Sequence, residues 1–359
     1  MKVFGIPMAG ITLLGLCLWS GINGPTAQAD FTFGPAQSLG SAVCSGARSF
    51  GPCISSDGLE LYFHRDPGEL WVARRATPNE EWGAPVNLGP TVNSSAYEGG
   101  PCLSADGLSL YFFSINRPGE LGGPDVWVTT RATTHDNWGT PVNVGAPVNT
   151  TSDDWCPSIT ADGLELYFTS NRPGGSGNWD IWSATRATVN SPWNTPVNLG
   201  PAVNSSAEDN WPGISPDGLV LFFASTRPGG SGQWDLYMTR RATRKDPWGP
   251  ATNLGPTINT IPWQVGAKVS SDGSTLYFHS ARAGGFSTCD LWQAAILPIV
   301  DFNADRKVDL VDLVMLIDNW GTNKTLCDVG PMPWGDGKVD IEDLKVFMTY
   351  YEKENPPKQ

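Results

Sequence analysis

Ala161-Asp162-Gly163-Leu164-Glu165-Leu166-Tyr167-Phe168-Thr169, continued by Arg172-Pro173-Gly174-Gly175-Ser176-Gly177 and Asp180-Ile181-Trp182, is one copy of a phrase written five times in this chain. An Asp-Gly pair opens each copy, at Asp57, Asp106, Asp162, Asp217 and Asp272, at intervals of 49, 56, 55 and 55 residues. A period of that length holds one small sheet, which buries its faces by stacking on its neighbours. The pair predicts a two-residue hairpin turn, because glycine accepts positive φ. Residues 157–160 before it and 164–169 after it read as strands, the second apolar enough to be covered on both sides. Residues 180–185 form a third strand beyond the Gly-rich turn, and 196–200, after Trp193, a short fourth. Four antiparallel strands per repeat make a propeller blade.

The fourth segment follows Trp82, Trp138, Trp193 and Trp248, four times for five hairpins. Phe33-Gly34-Pro35-Ala36 through Leu39-Gly40 parallels Trp248-Gly249-Pro250-Ala251 through Leu254-Gly255, and 17 residues separate the closing Gly from the next Asp in every unit. The N-terminal segment is therefore expected to supply the outer strand of the last blade, closing a five-bladed ring with no unpaired edge.

Ser215-Pro216-Asp217-Gly218 with Leu221-Phe222-Phe223-Ala224-Ser225, and Arg227-Pro228-Gly229-Gly230 running into Asp235-Leu236-Tyr237, resemble the WD40-like, TolB-like β-propeller repeats of exported bacterial proteins over roughly 31–297. The resemblance implies an all-β five-bladed β-propeller and leaves activity open, since propellers host unrelated functions.

Lys2, the apolar stretch 3–19 and Ala27-Gln28-Ala29 have the layout of a secretory signal, giving an expected division into 1–29 signal, 30–297 propeller and 298–359 tail. No later stretch has the ~20 apolar residues of a spanning helix, so the mature chain is expected to be secreted, extracellular or at the cell surface. A net charge of -13 argues against nucleic acid, which needs clustered Lys and Arg. Six Cys follow the signal, at 44, 53, 102, 156, 289 and 327; without a Cys-x-x-Cys they read as buried thiols or one or two disulfides rather than zinc ligands.

Arg117, Arg172, Arg227 and Arg282 each precede an Asp by eight residues, at Asp125, Asp180, Asp235 and Asp290, and are expected to clamp the Gly-rich turn through that Asp. Glu98, Asp154 and Asp209 break the symmetry: eight residues before the Asp-Gly, they stand where blades one and five have Ser49 and Gln264. In loops at the mouth of the channel, beside Trp155, Trp211 and Trp263, they would form a cation site or a sugar-stacking floor. Read as catalytic acids, they would make a glycoside hydrolase. His64 and His279 share one strand position and read as packing residues.

Past Pro298 the pattern becomes Asp-rich loops followed by helical periodicity. Asp301, Asn303, Asp305, Lys307 through its carbonyl, Asp309 and Asp312 occupy positions 1, 3, 5, 7, 9 and 12 of a calcium loop, with Leu310, Leu313, Val314, Ile317 and Trp320 on one face of the helix that follows. A second loop places Asp336, Lys338, Asp340 and Asp343 at 5, 7, 9 and 12, and an insertion of 331–334 brings Asp328 to position 1. Paired EF-hand-like loop-helix units over 299–355 resemble a type I dockerin, a small all-α calcium-binding module. The resemblance implies calcium and a cohesin-like protein or cell-surface scaffold as partner, although Leu310-Val311 and Ile341-Glu342 replace the hydroxyl residues usual at loop positions 10 and 11. The combined expectation is a secreted binding or scaffold protein with a ligand- or glycan-binding propeller; the alternative is an exported polysaccharide-degrading enzyme.

Overall fold

The computed structural model describes residues 31–44 and 46–356; the expected export signal lies outside the described residues. Five antiparallel sheets form five blades. In blade three the strands are Asp154–Ile159, Glu165–Ser170, Asp180–Thr185 and Val197–Asn198, paired in that order from the channel outward. Blades one, two and four repeat the order, and the inner strand of each contacts its neighbour around the channel. In blade five the outer strand is Gln37–Ser38, whose register is Gln37 to Gln293 and Ser38 to Trp292. Phe31–Phe33 adds a further strand on Ile296–Pro298. The ring thus closes through the N-terminal segment, as the 17-residue spacing requires.

The Asp-Gly turn is longer than a two-residue hairpin. Thr160 N donates to Glu165 O at 3.0 Å and Gly163 N to Thr160 O at 2.8 Å, so four residues lie in the loop. Asp162 Oδ1 accepts from Thr160 Oγ1 and Leu164 N, and this side-chain turn explains Asp beside Gly. The Arg of each Arg-Ala-Thr closes the unit. Arg75, Arg131, Arg186 and Arg241 donate Nε to the carbonyl of Gly58, Gly107, Gly163 and Gly218. Their guanidinium carbons lie 4.2, 4.4, 4.2 and 4.5 Å from the ring centroids of Trp82, Trp138, Trp193 and Trp248. Turn, Arg and Trp are therefore one clamp, with a cation–π contact at its centre. Phe63, Phe112, Phe168, Phe223 and Phe278, one per blade at one register, are fully buried. Each contributes about 1.5–3 kcal/mol by removal from water.

A short helix α1, Ser41–Cys44, follows the N-terminal strands, and beyond Pro298 lie helix α2, Leu310–Asp318, a short 3-10 turn, Thr325–Cys327, and helix α3, Ile341–Glu354. They enclose a small core of Val300, Phe302, Val308, Leu316, Cys327, Val329, Val339 and Phe347. The apolar helix face expected either to bind a partner or to pack on the propeller is largely open, with Leu313 partly buried in the tail's own core. Leu310, Val314, Ile317 and Trp320 are exposed, and α2 instead buries Asp312 and Leu316, because the Asp312 carboxylate is drawn inward by backbone amides. Among the described residues no helix is long and apolar enough to cross a membrane.

Candidate functional site

Each inner strand carries a bulge near its start, and the first residue of the bulge has positive φ in every blade: Gly51, Gly100, Cys156, Trp211 and Gly266. Glycine takes this conformation without strain, whereas Cys156 at 51° and Trp211 at 55° hold it against side-chain sterics. Strain of this kind persists where surrounding structure enforces it, commonly at binding sites. The Trp211 ring lies across the channel, edge-on to His279 at 5.1 Å and to Phe113 at 6.2 Å. A Cβ on Gly51 would stand 3.1 Å from Trp211 Cζ3, so the glycine of blade one makes room for the indole of blade four.

Trp211 floors a funnel of about 450 Å³ at the end of the ring where the inner strands begin. Trp155, Trp234, Trp263, Phe50, Phe113 and Tyr97 supply its aromatic walls, and Asn210, Gln233, His64 and His279 its polar atoms. The three Trp expected to bind ligand are thus brought together. The imidazoles are neutral: burial depresses His64 to about 3 and His279 well below the usual histidine range. His279 Nδ1 accepts the Gly51 amide at 3.1 Å, so in the neutral ring the proton sits on Nε2. Among the described residues no ionised side chain lines this funnel. His64 and His279, expected as packing residues, line the funnel, together with Tyr97, Phe113 and Trp234, which the sequence did not single out; the signal available was the register six residues before each Asp-Gly, where Gly gives way to Cys and Trp.

Glu98, Asp154 and Asp209 are elsewhere. They open or lie in the inner strands rather than in loops, and all three are fully buried. Arg172 Nη2 donates to Asp154 Oδ1 at 2.6 Å and Arg227 Nη2 to Asp209 Oδ1 at 2.5 Å, while Arg117 Nη1 stands 3.7 Å from Glu98 Oε1. Thr150 and Ser205 each bind the second oxygen through backbone N and hydroxyl. Burial raises the Glu98 carboxyl. Gln264 occupies the same place in blade five, with its amide on Thr260 and Ser280.

The expected pairing of these arginines with Asp125, Asp180, Asp235 and Asp290 is therefore corrected. Those carboxylates accept backbone amides of the Gly-rich turn, as Asp180 Oδ1 does from Gly177 N at 3.0 Å. The arginine reaches inward because it also caps a carbonyl of the preceding connection, that of Val92, Val148, Val203 or Ile258. In blade one Arg65, two residues earlier in the hairpin, caps Val43 O and Ser49 in the same way.

Among the described residues all six cysteines are buried and free. Cys53 and Cys102 are packed in the apolar cores between blades, and below Trp211 the Lys268 Nζ donates to Pro157 O and Pro212 O.

In the tail, the Asp301 carboxylate accepts Asp305 N at 3.1 Å and Arg306 N at 2.7 Å; the Asp328 carboxylate accepts Asp336 N at 2.8 Å and Gly337 N at 2.7 Å. Asp312 Oδ1 accepts from Phe302 and Asn303, and Asp343 Oδ1 from Val329 and Gly330. Asp309 and Asp340 cap the helices through identical capping boxes. The two loops are equivalent once 331–334 is set aside. Asn303, Asp305, Lys307, Asp336 and Lys338 are at the exposed rims. Among the described residues no three His, Cys, Asp or Glu side chains cluster tightly enough to cage a metal.

Compared with protein-family models and with curated proteins, the sequence matches none. Among solved structures, the putative TolB from Agrobacterium tumefaciens is similar at 16% identity, with 72% of this chain and 81% of that chain covered and a TM-score of 0.45. The alpha-L-arabinofuranosidase from Lactobacillus brevis is similar at 15% identity, covering 70% and 90%, TM-score 0.48. The alpha-L-arabinofuranosidase PaAbf62A from Podospora anserina, in complex with cellotriose, is similar at 11% identity, covering 76% and 98%, TM-score 0.46. These are distant likenesses of propeller fold.

Proposed function

We propose that the protein is an exported glycan-binding propeller, attached through a calcium-dependent, dockerin-like tail to an extracellular partner. The observation that carries the propeller half is the uncharged aromatic funnel floored by Trp211. Sugar rings present apolar faces to indoles and hydroxyls to amide and imidazole groups, and the funnel offers both with no fixed charge. Trp155 and Trp263 are assigned as stacking walls and Trp211 as the floor. A neutral polysaccharide chain end is the ligand class this chemistry favours.

Hydrolysis by Glu98, Asp154 and Asp209 is the second reading, and it is less well supported. Paired catalytic carboxyls face one sugar from about 5 to 9.5 Å apart. Here each carboxylate is bonded within its own blade, and none lines the funnel.

For the tail, the donor set is hard oxygen in the order a calcium loop uses, with Asp301, Asn303, Asp305, Lys307, Asp309 and Asp312 holding one ion and Asp328, Asp336, Lys338, Asp340 and Asp343 the other. A carboxylate has about four lone-pair sites. Two amide bonds to Asp301 or Asp328 therefore leave acceptor capacity for a cation. Closing the remaining side chains around the ion orders the loop, so binding and folding are linked. The exposed Leu310, Val314, Ile317 and Trp320 offer a cohesin-like protein or cell-surface scaffold an apolar contact.

A polysaccharide array with the mature chain tests the funnel. Trp211→Gly restores the residue that blades one, two and five carry, so the ring is expected to fold while glycan binding weakens about tenfold, the loss of one stacking contact. Unchanged binding would remove the funnel from consideration, and turnover lost in Asp154→Asn would favour the enzyme.

A further inference from the structure

Blade five lacks the clamp that closes the other four. At the register of Arg75, Arg131, Arg186 and Arg241 it carries Ile296, and at the register of the clamping Trp it carries Phe33. Its Asp272-Gly273 turn therefore has no guanidinium of its own to cover it. The cover comes from the tail: a Cβ on Gly273 would meet Met332 Sδ at 2.7 Å, Pro333 Cδ at 2.9 Å and Trp334 Cη2 at 3.2 Å. These three belong to the four-residue insertion 331–334 that separates the second tail loop from the first.

Trp334 is 0% exposed. Its ring lies 5.8 Å from Phe31, and its Nε1 donates to Asp217 Oδ2 at 2.6 Å, reaching the Asp-Gly turn of blade four as well. The insertion thus puts an indole, a proline and a thioether into the gap left by the missing Arg and Trp. It leaves the loop register intact, since the amides after it return to Asp328 as those of the first loop return to Asp301. Gly335, at φ +76°, joins the two parts, with a Cβ there falling 2.3 Å from the Asp328 carboxylate.

We infer that 331–334 is an internal docking anchor whose seat is the unclamped end of blade five, and that a cation in the second loop locks it there. The lock rests on the calcium reading above. Asp328 and Trp334 are held by one turn, so an ion that fixes the Asp328 loop also fixes the angle at which the wedge leaves it. The seat is at the Asp-Gly end of the ring, opposite the funnel. A docked tail therefore leaves the funnel open and holds the exposed face of α2 in a fixed direction.

Hydrogen exchange on the full mature chain, with calorimetric calcium titration alongside, tests the lock. Chelation is expected to speed exchange in peptides containing 217–220 and 272–274 and to leave the Asp57 and Asp106 turns unchanged. Trp334→Ala is expected to reproduce that pattern with calcium present and, by reciprocity, to weaken one of two calcium sites about tenfold. Asp217→Asn, which leaves the loop untouched, is expected to shift both readouts in the same direction by less, and it serves if Trp334→Ala does not fold. Two bound calcium ions with no change at 272–274 on chelation would overturn the lock and leave the calcium reading standing. No bound calcium would overturn both.

Discussion

The shell of the ring and the lining of its channel are made by the same strands and differ in how faithfully they repeat. In the shell, Arg over Trp and Arg on a Gly carbonyl recur in four blades at nearly one distance. In the lining, the cross-strand pair at one register is Phe50 with His64, Gly99 with Phe113, Trp155 with Thr169, Asn210 with Ala224, and Val265 with His279. No two blades share it. Successive blades stack in the same way, so the shell is constrained to repeat, and in blade five, which carries Ile296 and Phe33 at these positions, residues of the tail cover the turn instead. The channel axis has one ligand-sized space, which five different pairs shape together.

The buried ion pairs belong to the shell although they lie near the funnel, and breaking one should give the largest effect. Arg172→Met leaves the fully buried Asp154 carboxylate with only Thr150 as partner, and removing one member of a buried pair costs about 3–5 kcal/mol. Urea denaturation of the propeller should show that loss. The added change Asp154→Asn should return part of it, because a neutral amide at this register is what Gln264 provides in blade five. A loss below 1 kcal/mol in the single variant would place the carboxylate in the lining rather than the shell.

Acid should act on the lining. Burial holds His64 at about 3 against an ordinary value near 6.5, so the unfolded chain takes up a proton that the native ring does not. The stability tied to this depressed pKa is complete above pH 6.5 and declines as pH falls toward 3. At 1.36 kcal/mol per pH unit, His64 contributes a loss of about 2 kcal/mol between pH 6.5 and 5. His279 moves in the same direction. His64→Phe copies Phe113 of blade two, and its melting temperature should fall less between pH 6.5 and 5 than that of the parent. Equal falls would mean that the imidazole is protonated in the native funnel.

The contrast also explains what could be read from the sequence. Blade count, strand order and closure through Gln37–Ser38 were legible because they rest on repeated residues with a fixed period. Partner choice was not: Arg172 is eight residues from Asp180 in sequence, yet it bonds Asp154, since the hairpin folds it back onto the inner strand and the Gly-rich turn already satisfies Asp180 with backbone amides. The acids at 98, 154 and 209 stood out as departures from symmetry, but blade five meets the same need with an amide, so the departure is one of residue type and not of role. Trp211 was visible as an aromatic; its strained φ and its place across the channel depend on a bulge that spacing alone does not reveal.

Lys and Arg both carry one positive charge, so Arg186→Lys separates geometry from charge in the shell. The guanidinium carbon lies 4.2 Å from the Trp193 centroid while Nε reaches Gly163 O. A lysine ammonium can point at the ring or at the carbonyl but has no planar fork to serve both. The expected cost is about 0.5–1 kcal/mol, the worth of one partly exposed cation–π contact, read as a small shift in the urea midpoint with an unchanged slope. Funnel binding should be unaffected, because Arg186 and Trp193 lie outside the residues that line it. A change in glycan affinity with so small a change in stability would show that the shell transmits blade geometry to the channel, and the two regions would then be one mechanical unit.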